Sequence, residues 1–320
     1  MKEKILVTGG NGFLGSFVVP KLKEKGYEVI FPSSKEYDLR KEENVRRMFD
    51  DIMPDIVIHM AVDGGGIGYM REHPASVFYN NMMMNALMVD ASIRHKVKKF
   101  VGIGTVCSYP KFTPVPFKEE DLWKGYPEET NAPYGLAKAM MLVHSQGARE
   151  QYKLNAIHLL VVNLYGERDD FDLNASHVVP ALVRKFESAI TEGKDSVEIW
   201  GTGSASREFL YAGDAADGII LAMERYNESE PVNLGSGMEI SIKDLTGKIA
   251  NLMGFKGKIV WDSSKPDGQP RRCLNVSRAY NKFGFRAQVG FDEGLRRTIE
   301  WYKANKKHIE SHKRDLSSRL

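Results

Sequence analysis

A tyrosine and a lysine four residues apart offer proton chemistry near the middle of the chain. Tyr134 and Lys138 lie in a run that has no helix breaker after Gly135, and Asn131 stands ahead of Pro133 as a candidate helix cap. At this spacing the two side chains share one helix face. A neighbouring ammonium favours the phenolate, so the sequence predicts a tyrosine with a lowered pKa that protonates a carbonyl oxygen during reduction. The same pair also arises by chance, as a surface tyrosine beside a lysine.

A glycine-rich turn near the start of the chain predicts a dinucleotide-binding site. A short β-rich run at residues 4–7 leads into this turn, and a helical pattern follows it through Leu22. Glycines spaced three apart let the backbone turn tightly and approach a pyrophosphate at the helix N-terminus. The residues predicted to contact the cofactor here are Gly9, Gly12, Phe13, Leu14 and Gly15. A plain tight turn is the alternative, but the strand–turn–helix context favours the cofactor.

The end of the second predicted strand bears on which nicotinamide cofactor is bound. Residues 28–31 form that strand, and Ser34 and Lys35 follow it closely. Hydroxyl and ammonium groups suit a 2′-phosphate, so these residues predict NADP(H). Glu36 comes one residue later and would suit the ribose hydroxyls of NAD instead. A polar β-turn would account for the same residues.

Strands and helices are predicted to alternate through the first half of the chain. Apolar runs at residues 55–61, 99–104 and 155–162 are typical of buried parallel strands, and Asp38 is a candidate cap for a helix that reaches Ile52. This alternation predicts an α/β fold, a Rossmann-like doubly wound parallel sheet. Beyond Gly166 the loops lengthen, which indicates a smaller α/β substrate-binding domain. We predict a cofactor domain at residues 1–165 plus about 212–235, and a nucleotide-sugar domain at about 166–211 and 236–320.

Composition excludes several other classes of protein. The 320 residues carry 45 basic and 42 acidic side chains, a net charge of +3, so charge gives no reason to expect binding to nucleic acid or membranes. The two cysteines, Cys107 and Cys273, are far apart and offer neither a disulfide framework nor metal-ligand spacing. With no signal peptide and no apolar run of about 20 residues, we predict a cytoplasmic protein without a bound metal.

Several of these motifs together resemble a known family. The glycine triplet, Thr105, Tyr134 and Lys138 are similar to those of the extended short-chain dehydrogenase/reductases, which act mostly on nucleotide sugars. Within that superfamily, further segments resemble the GDP-L-fucose synthase family. They lie at residues 64–67, 105–111, 131–138, 163–166, 176–182, 200–203, 207–209 and 264–268. The resemblance covers nearly the whole chain in the right order.

The resemblance implies an epimerisation followed by a reduction. Cys107 and His177 occupy the positions of the family's epimerisation pair. Protons at C3 and C5 beside a C4 ketone are acidic because the enolate spreads its charge onto O4, and inverting such a centre takes a base on one face and an acid on the other. In the reduction, NADPH would deliver hydride to C4 while Tyr134 protonates O4. Thr105 would hydrogen-bond O4, and Lys138 would also hold the nicotinamide ribose.

The resemblance also implies further contacts and a dimer. Asn163 and His177 would add to the cofactor site. The candidates for contact with a GDP-sugar are Lys185, Trp200, Arg207 and Lys265, since a base can stack on an aromatic ring and cations can meet a diphosphate. Two other functions stay open: reduction or epimerisation of another NDP-4-keto sugar, such as a GDP-4-keto-6-deoxyheptose, and a non-catalytic nucleotide-binding regulator. Families of this kind are usually dimeric, often through a four-helix interface, so we expect a homodimer.

Overall fold

The structure is a computed structural model that describes residues 2–173, 175–265 and 268–311. Pro266 and Asp267, in the last of the segments that resemble the family, lie outside the described residues. The strands are β1 (Lys4–Thr8), β2 (Glu28–Ile30), β3 (Ile56–His59), β4 (Lys99–Thr105), β5 (Ala156–Val161), β6 (Asn163–Tyr165), β7 (Ser196–Trp200), β8 (Ser206–Tyr211), β9 (Val232–Leu234), β10 (Glu239–Ser241) and β11 (Lys258–Asp262). The helices are α1 (Gly15–Glu24), α2 (Glu42–Ile52), α3 (Ile67–Glu72), α4 (Pro74–Arg94), α5 (Ala132–Tyr152), α6 (Val178–Thr191), α7 (Ala212–Arg225), α8 (Ile242–Met253), α9 (Ser277–Phe283) and α10 (Phe291–Ser311).

A six-stranded parallel sheet forms the centre of the molecule. Its strand order is β2-β1-β3-β4-β5-β9. Alternate residues of β1 enter opposite layers: Ile5 and Val7 pack with α1 and α7, whereas Leu6 packs with α2 and α4. Both faces of the sheet are therefore covered, which explains why its strands are apolar along their length. The predicted fold class, a doubly wound parallel sheet, is confirmed.

The chain order of this sheet reverses between β1 and β3, and this creates a crevice at their carboxyl ends. Thr8 pairs with His59 at that edge. In open α/β sheets, ligands bind in such a crevice. The glycine turn after β1 and the glycine-rich loop after β3 both begin there.

A second, smaller part of the molecule is built from β6, β7, β8, β10 and β11 with α6, α8 and α10. Its sheets have the orders β10-β8-β6 and β11-β7. Phe186 of α6, Ile249 of α8 and Tyr302 of α10 share one apolar core with these strands. β9 returns to the central sheet and pairs with β5. The exact domain boundaries stay a prediction.

One helix cap that was predicted from the sequence is wrong. Asp38 does not cap α2, because its carboxylate accepts hydrogen bonds from the Arg40 backbone N–H (3.1 Å) and Nε (2.9 Å), and Lys41 occupies the cap position. Among the described residues, no helix has both the length and the apolar character needed to cross a membrane.

Candidate active site

The glycine turn joins β1 to α1 as the sequence predicts. Gly9 adopts φ +71°, a left-handed conformation that favours glycine. A β-carbon at Gly15 would lie 2.4 Å from a backbone oxygen of the turn, so the turn closes tightly on the helix. Gly12 is exposed, and Phe13 and Leu14 are half-buried beside it. The backbone at the α1 N-terminus is thus open where a pyrophosphate would lie.

A buried hydrogen-bond chain connects this turn to α5. Thr8 Oγ1 lies 2.7 Å from His59 Nδ1, and His59 Nε2 lies 3.1 Å from Asn85 Oδ1. Asn85 Nδ2 in turn donates to the Ala137 carbonyl at 3.0 Å. Burial lowers the pKa of His59 to about 3, so the ring is neutral. Because Asn85 Oδ1 can only accept, the imidazole carries its proton on Nε2 and accepts from Thr8.

Tyr134 and Lys138 lie one turn apart on α5, as their spacing predicts. Lys138 is 1% exposed, and its ammonium makes no hydrogen bond to the part of the chain that the structure describes. Burial lowers the pKa of Lys138 to about 8.

The predicted lowering of the Tyr134 pKa is wrong for the protein alone. Burial and the nearby Cys107 sulfur raise the pKa of the phenol, and a hydrogen bond with Thr105 opposes them only in part. The sequence prediction included the charge of the lysine but not the loss of solvent around the phenol, which disfavours the phenolate.

Thr105, Cys107 and Tyr134 meet where β4 ends. The strand leads directly into a single 3₁₀ turn, Val106–Ser108. The Cys107 N–H donates to Thr105 Oγ1 at 3.2 Å, so the threonine caps the turn. A β-carbon at Gly135 would lie 2.2 Å from the Cys107 carbonyl oxygen, so α5 packs directly on the turn. Three of the predicted catalytic side chains are thus brought together.

The glycine loop after β3 links this cluster to the start of α6. Gly64 faces the Tyr134 ring, since a β-carbon there would lie 4.0 Å from Cε2. Two residues on, the Gly66 N–H donates to the Ala175 carbonyl at 2.6 Å. This bond holds the segment that leads to His177 against the loop.

His177 occupies the N-cap position of α6 and is exposed. Among the described residues, no hydrogen bond joins it to Cys107. Desolvation by the surrounding protein still lowers the pKa of His177, and the negative charge of Asp170 acts in the opposite direction. The His177 side chain is therefore accessible to solvent.

The predicted sugar-nucleotide residues form a second cluster. The Lys185 and Lys265 ammonium groups lie 5.7 and 5.6 Å from the centre of the Trp200 ring, which is 58% exposed. Arg207 lies beside Gly268, three residues after Lys265, because a β-carbon at Gly268 would be 3.4 Å from Arg207 Nη2. Lys185 follows His177 by eight residues on the same helix, about 12 Å along its axis. The helix that carries Lys185 therefore begins at its cap residue, His177.

The remaining predicted cofactor residues lie at two strand ends. Ser34 and Lys35 are exposed after β2. Glu36 accepts hydrogen bonds from the Ser33 N–H (2.7 Å) and Oγ (2.8 Å), so its carboxylate is engaged within the turn. Asn163 is half-buried on β6 and donates to the Glu208 carbonyl at 3.0 Å, a bond between β6 and β8.

The sequence did not reveal two neighbours of Cys107. Arg272 Nη1 donates to Cys107 Sγ at 3.4 Å, and Asn131 Oδ1 lies 3.8 Å from the same sulfur. Asn131 was predicted only as a helix cap; it holds the cap position of α5, but its side chain makes no capping bond. Arg272 follows closely on one of the matching segments, yet no local pattern indicates a contact across 165 residues.

Comparison with known proteins agrees with this architecture. Residues 5–235 match the NAD dependent epimerase/dehydratase family. A putative GDP-L-fucose synthase 2 of Arabidopsis thaliana is 38% identical over 303 residues, covering 94% of this chain and 92% of the relative. A GDP-6-OMe-4-keto-L-xylo-heptose reductase from C. jejuni has a TM-score of 0.89 at 28% identity, covering 95% of this chain and 98% of that one. A GDP-L-fucose synthetase from Naegleria fowleri bound to NADP has a TM-score of 0.88 at 27% identity, covering 96% of both chains. The chain therefore belongs to the NAD dependent epimerase/dehydratase family and, among the extended short-chain dehydrogenase/reductases, to the GDP-L-fucose synthase group.

Proposed function

We propose that this protein converts GDP-4-keto-6-deoxy-D-mannose to GDP-L-fucose with NADPH. The observation that carries the proposal is the meeting of Thr105, Cys107 and Tyr134 at the carboxyl edge of the sheet. One small cluster thus holds a hydrogen-bond donor, a thiol and a phenol. The Arabidopsis thaliana relative named putative GDP-L-fucose synthase 2 spans nearly the whole chain.

The chain fits a nicotinamide dinucleotide phosphate. The turn of Gly9 and Gly15 leaves the α1 N-terminus open for a pyrophosphate. Ser34 and Lys35 are exposed where a 2′-phosphate would lie, whereas the Glu36 carboxylate is occupied by Ser33. The similar Naegleria fowleri structure is bound to NADP. When bound, NADPH supplies the hydride that adds to C4 of the sugar.

In the epimerisation, Cys107 and His177 act on opposite faces of the sugar. The thiolate of Cys107 removes the proton at C3 or C5, and the electron pair moves onto O4. Thr105 and Tyr134 donate hydrogen bonds to the developing oxyanion. His177 then returns a proton to the opposite face, which inverts the centre.

In the reduction, Tyr134 is the proton donor. The raised pKa of Tyr134 keeps the phenol protonated before the reaction, so it is ready to protonate O4. Lys138 would contact the nicotinamide ribose. Its charge next to the developing phenolate favours release of the proton.

The second cluster would hold the GDP moiety. Trp200 offers an exposed ring for the base, and the ammonium groups of Lys185 and Lys265 flank that ring. Arg207 would meet the diphosphate. Since α6 carries both His177 and Lys185, binding of the nucleotide fixes the helix that holds the proposed acid.

Two further parts of the proposal concern assembly and location. We propose a homodimer that works in the cytoplasm. Both cysteines are free, and a thiol that acts as a base must stay reduced, which fits a reducing compartment.

The decisive experiment incubates the protein with GDP-4-keto-6-deoxymannose and NADPH in heavy water. We expect GDP-L-fucose with deuterium at C3 and C5, detected by NMR and mass spectrometry. Reduction without deuterium would refute the role of Cys107 and His177. If the protein binds the nucleotide but turns over no 4-keto sugar, the result would favour a non-catalytic nucleotide-binding regulator instead.

Two variants separate the steps of the reaction. Cys107→Ser should abolish deuterium exchange but leave reduction of the unepimerised ketone. Tyr134→Phe should lower the reduction rate by about 10²–10⁴-fold and affect exchange far less. Loss of both steps to the same degree in both variants would contradict the assigned roles.

A second candidate is the reduction of another GDP-4-keto sugar, such as a heptose. The likeness to a heptose reductase, at a TM-score of 0.89, favours it. Competition between the 6-deoxymannose and heptose substrates, measured as the ratio of their kcat/KM values, decides between the two.

A further inference from the structure

An arginine from the far end of the chain contacts the sulfur of Cys107. Arg272 is 7% exposed, and its Nη1 donates to Sγ at 3.4 Å. The two residues are 165 positions apart, so only the folded chain brings them together. A buried guanidinium is always charged and can stabilise a thiolate directly.

A relay of two hydrogen bonds fixes this guanidinium. Arg272 Nε donates to Gln269 Oε1 at 2.9 Å, and Gln269 Nε2 donates to the Lys111 carbonyl at 2.7 Å. Gln269 is itself 5% exposed. Lys111 follows Cys107 by four residues in the same segment, so the arginine is anchored to the segment whose sulfur it contacts.

Other groups face the sulfur from the elements packed around it. Asn131 Oδ1 lies 3.8 Å away, and its orientation is fixed because Asn131 Nδ2 donates to Glu128. A carbonyl oxygen accepts from a thiol and disfavours a thiolate. Tyr134 faces the sulfur from α5, and its phenol stays neutral because burial raises its pKa. Among these neighbours of the sulfur, Arg272 is the one that carries a positive charge.

We propose that Arg272 is a positioning residue that ionises and aims Cys107 as the base of the epimerisation. The inference rests on the proposed function. Before the reaction, the Arg272 guanidinium stabilises the Cys107 thiolate. The thiolate then removes the proton at C3 or C5. That proton forms a new S–H bond as the C–H bond breaks, and the freed electron pair moves to O4. His177 supplies the proton that restores carbon.

The test measures how fast iodoacetamide alkylates Cys107 between pH 5 and 10, without any substrate. Peptide mass spectrometry follows the Cys107 peptide separately from the peptide that contains the buried Cys273. In Arg272→Gln, we expect the midpoint of the reactivity curve to move to higher pH by about one unit or more. Arg272→Lys should restore much of the shift. Arg271→Gln is the matched control, because Arg271 is exposed and paired with Glu239.

Several outcomes would overturn the inference. An unchanged reactivity curve in Arg272→Gln would refute it. A raised KM for the nucleotide sugar with unchanged alkylation would also refute it, and would make Arg272 a substrate contact. If Arg272→Gln does not fold, Gln269→Met tests the same point, since it releases the guanidinium without removing its charge. A shifted curve in a protein that turns over no 4-keto sugar would uphold only the effect of Arg272 on the Cys107 sulfur, and would refute both the proposed function and the role of Cys107 as its base.

Discussion

The buried ammonium of Lys138 lowers the stability of the protein when no cofactor is bound. Its folded pKa of about 8 lies below the value of 10.5 for a free lysine. Burial of the charge therefore destabilises the fold fully below pH 8, and this effect fades as pH rises from 8 towards 10.5 because the folded state loses the proton first. We predict that Lys138→Met raises the free energy of unfolding by about 2–4 kcal/mol at pH 7.

Urea unfolding of the cofactor-free protein at pH 7 and pH 10 measures this difference. The advantage of Lys138→Met should shrink at pH 10. Lys303→Met, on an exposed lysine of α10, is the control and should change stability little at either pH. A variant that is less stable than the wild type at pH 7 would show that the ammonium stabilises the fold.

His158 should make the fold sensitive to acid. The imidazole is 1% exposed, and neither ring nitrogen has a hydrogen-bond partner in the described part of the chain. Burial lowers the pKa of His158 to about 3, with a further contribution from the Lys138 charge. The unfolded chain takes up a proton below pH 6.5 and the folded chain does not, so stability is lost as pH falls from 6.5 towards 3. We expect His158→Leu to remove about 2 kcal/mol of the loss between pH 7.5 and pH 5, measured by urea unfolding. Equal losses in variant and wild type would contradict this.

At the scale of whole elements, the sequence was most informative where a pattern is local. The parallel strands could be predicted from their apolar runs, and α5 from a stretch without helix breakers. Capping was predicted less well. Asp38 and Asn131 are good cap residues by type, yet the Asp38 carboxylate accepts from Arg40 and the Asn131 amide donates to Glu128 instead. Which partner a short polar side chain finds depends on the tertiary structure around it.

The glycine loop after β3 shows how a small residue sets the position of an element. Gly66 has φ −64°, which any residue can adopt, but a β-carbon there would lie 2.2 Å from the Ser176 carbonyl oxygen. Gly66→Ala should therefore displace the segment that leads to His177. We predict that deuterium exchange falls by about tenfold or more, because a displacement of about 1 Å can cost that much.

The matched control is Gly247→Ala on α8. This glycine is exposed, and a β-carbon there would meet nothing within 4 Å. It should leave exchange unchanged and stabilise the fold by about 0.5–1 kcal/mol. Unchanged exchange in Gly66→Ala would show that the position of His177 does not depend on this loop.

Across the whole molecule, the candidate site is assembled from distant parts of the chain. Thr105 ends β4 and Cys107 follows it, whereas Arg272 comes from the segment before α9. The contact between Cys107 and Arg272 could not be read from the sequence, since neither composition nor periodicity encodes which loops meet. The proximity of Tyr134 and Lys138 could be predicted from the sequence, because residues four apart on a helix lie on the same face.

The proposed homodimer should form through α4 and α5. Both helices expose large apolar side chains: Phe78 and Tyr79 on α4 are 40% and 59% exposed, and Val143 on α5 is 48% exposed. A twofold dimer buries the same patch of both subunits, so a new carboxylate at this position would be placed twice in an apolar interface, once from each subunit. We predict that Val143→Glu is a monomer by size-exclusion chromatography with light scattering. Leu252→Glu, on the exposed face of α8, is the control and should stay dimeric. A wild type that is monomeric at all concentrations would refute the dimer. A dimer that is lost only in Leu252→Glu would place the interface on α8 instead.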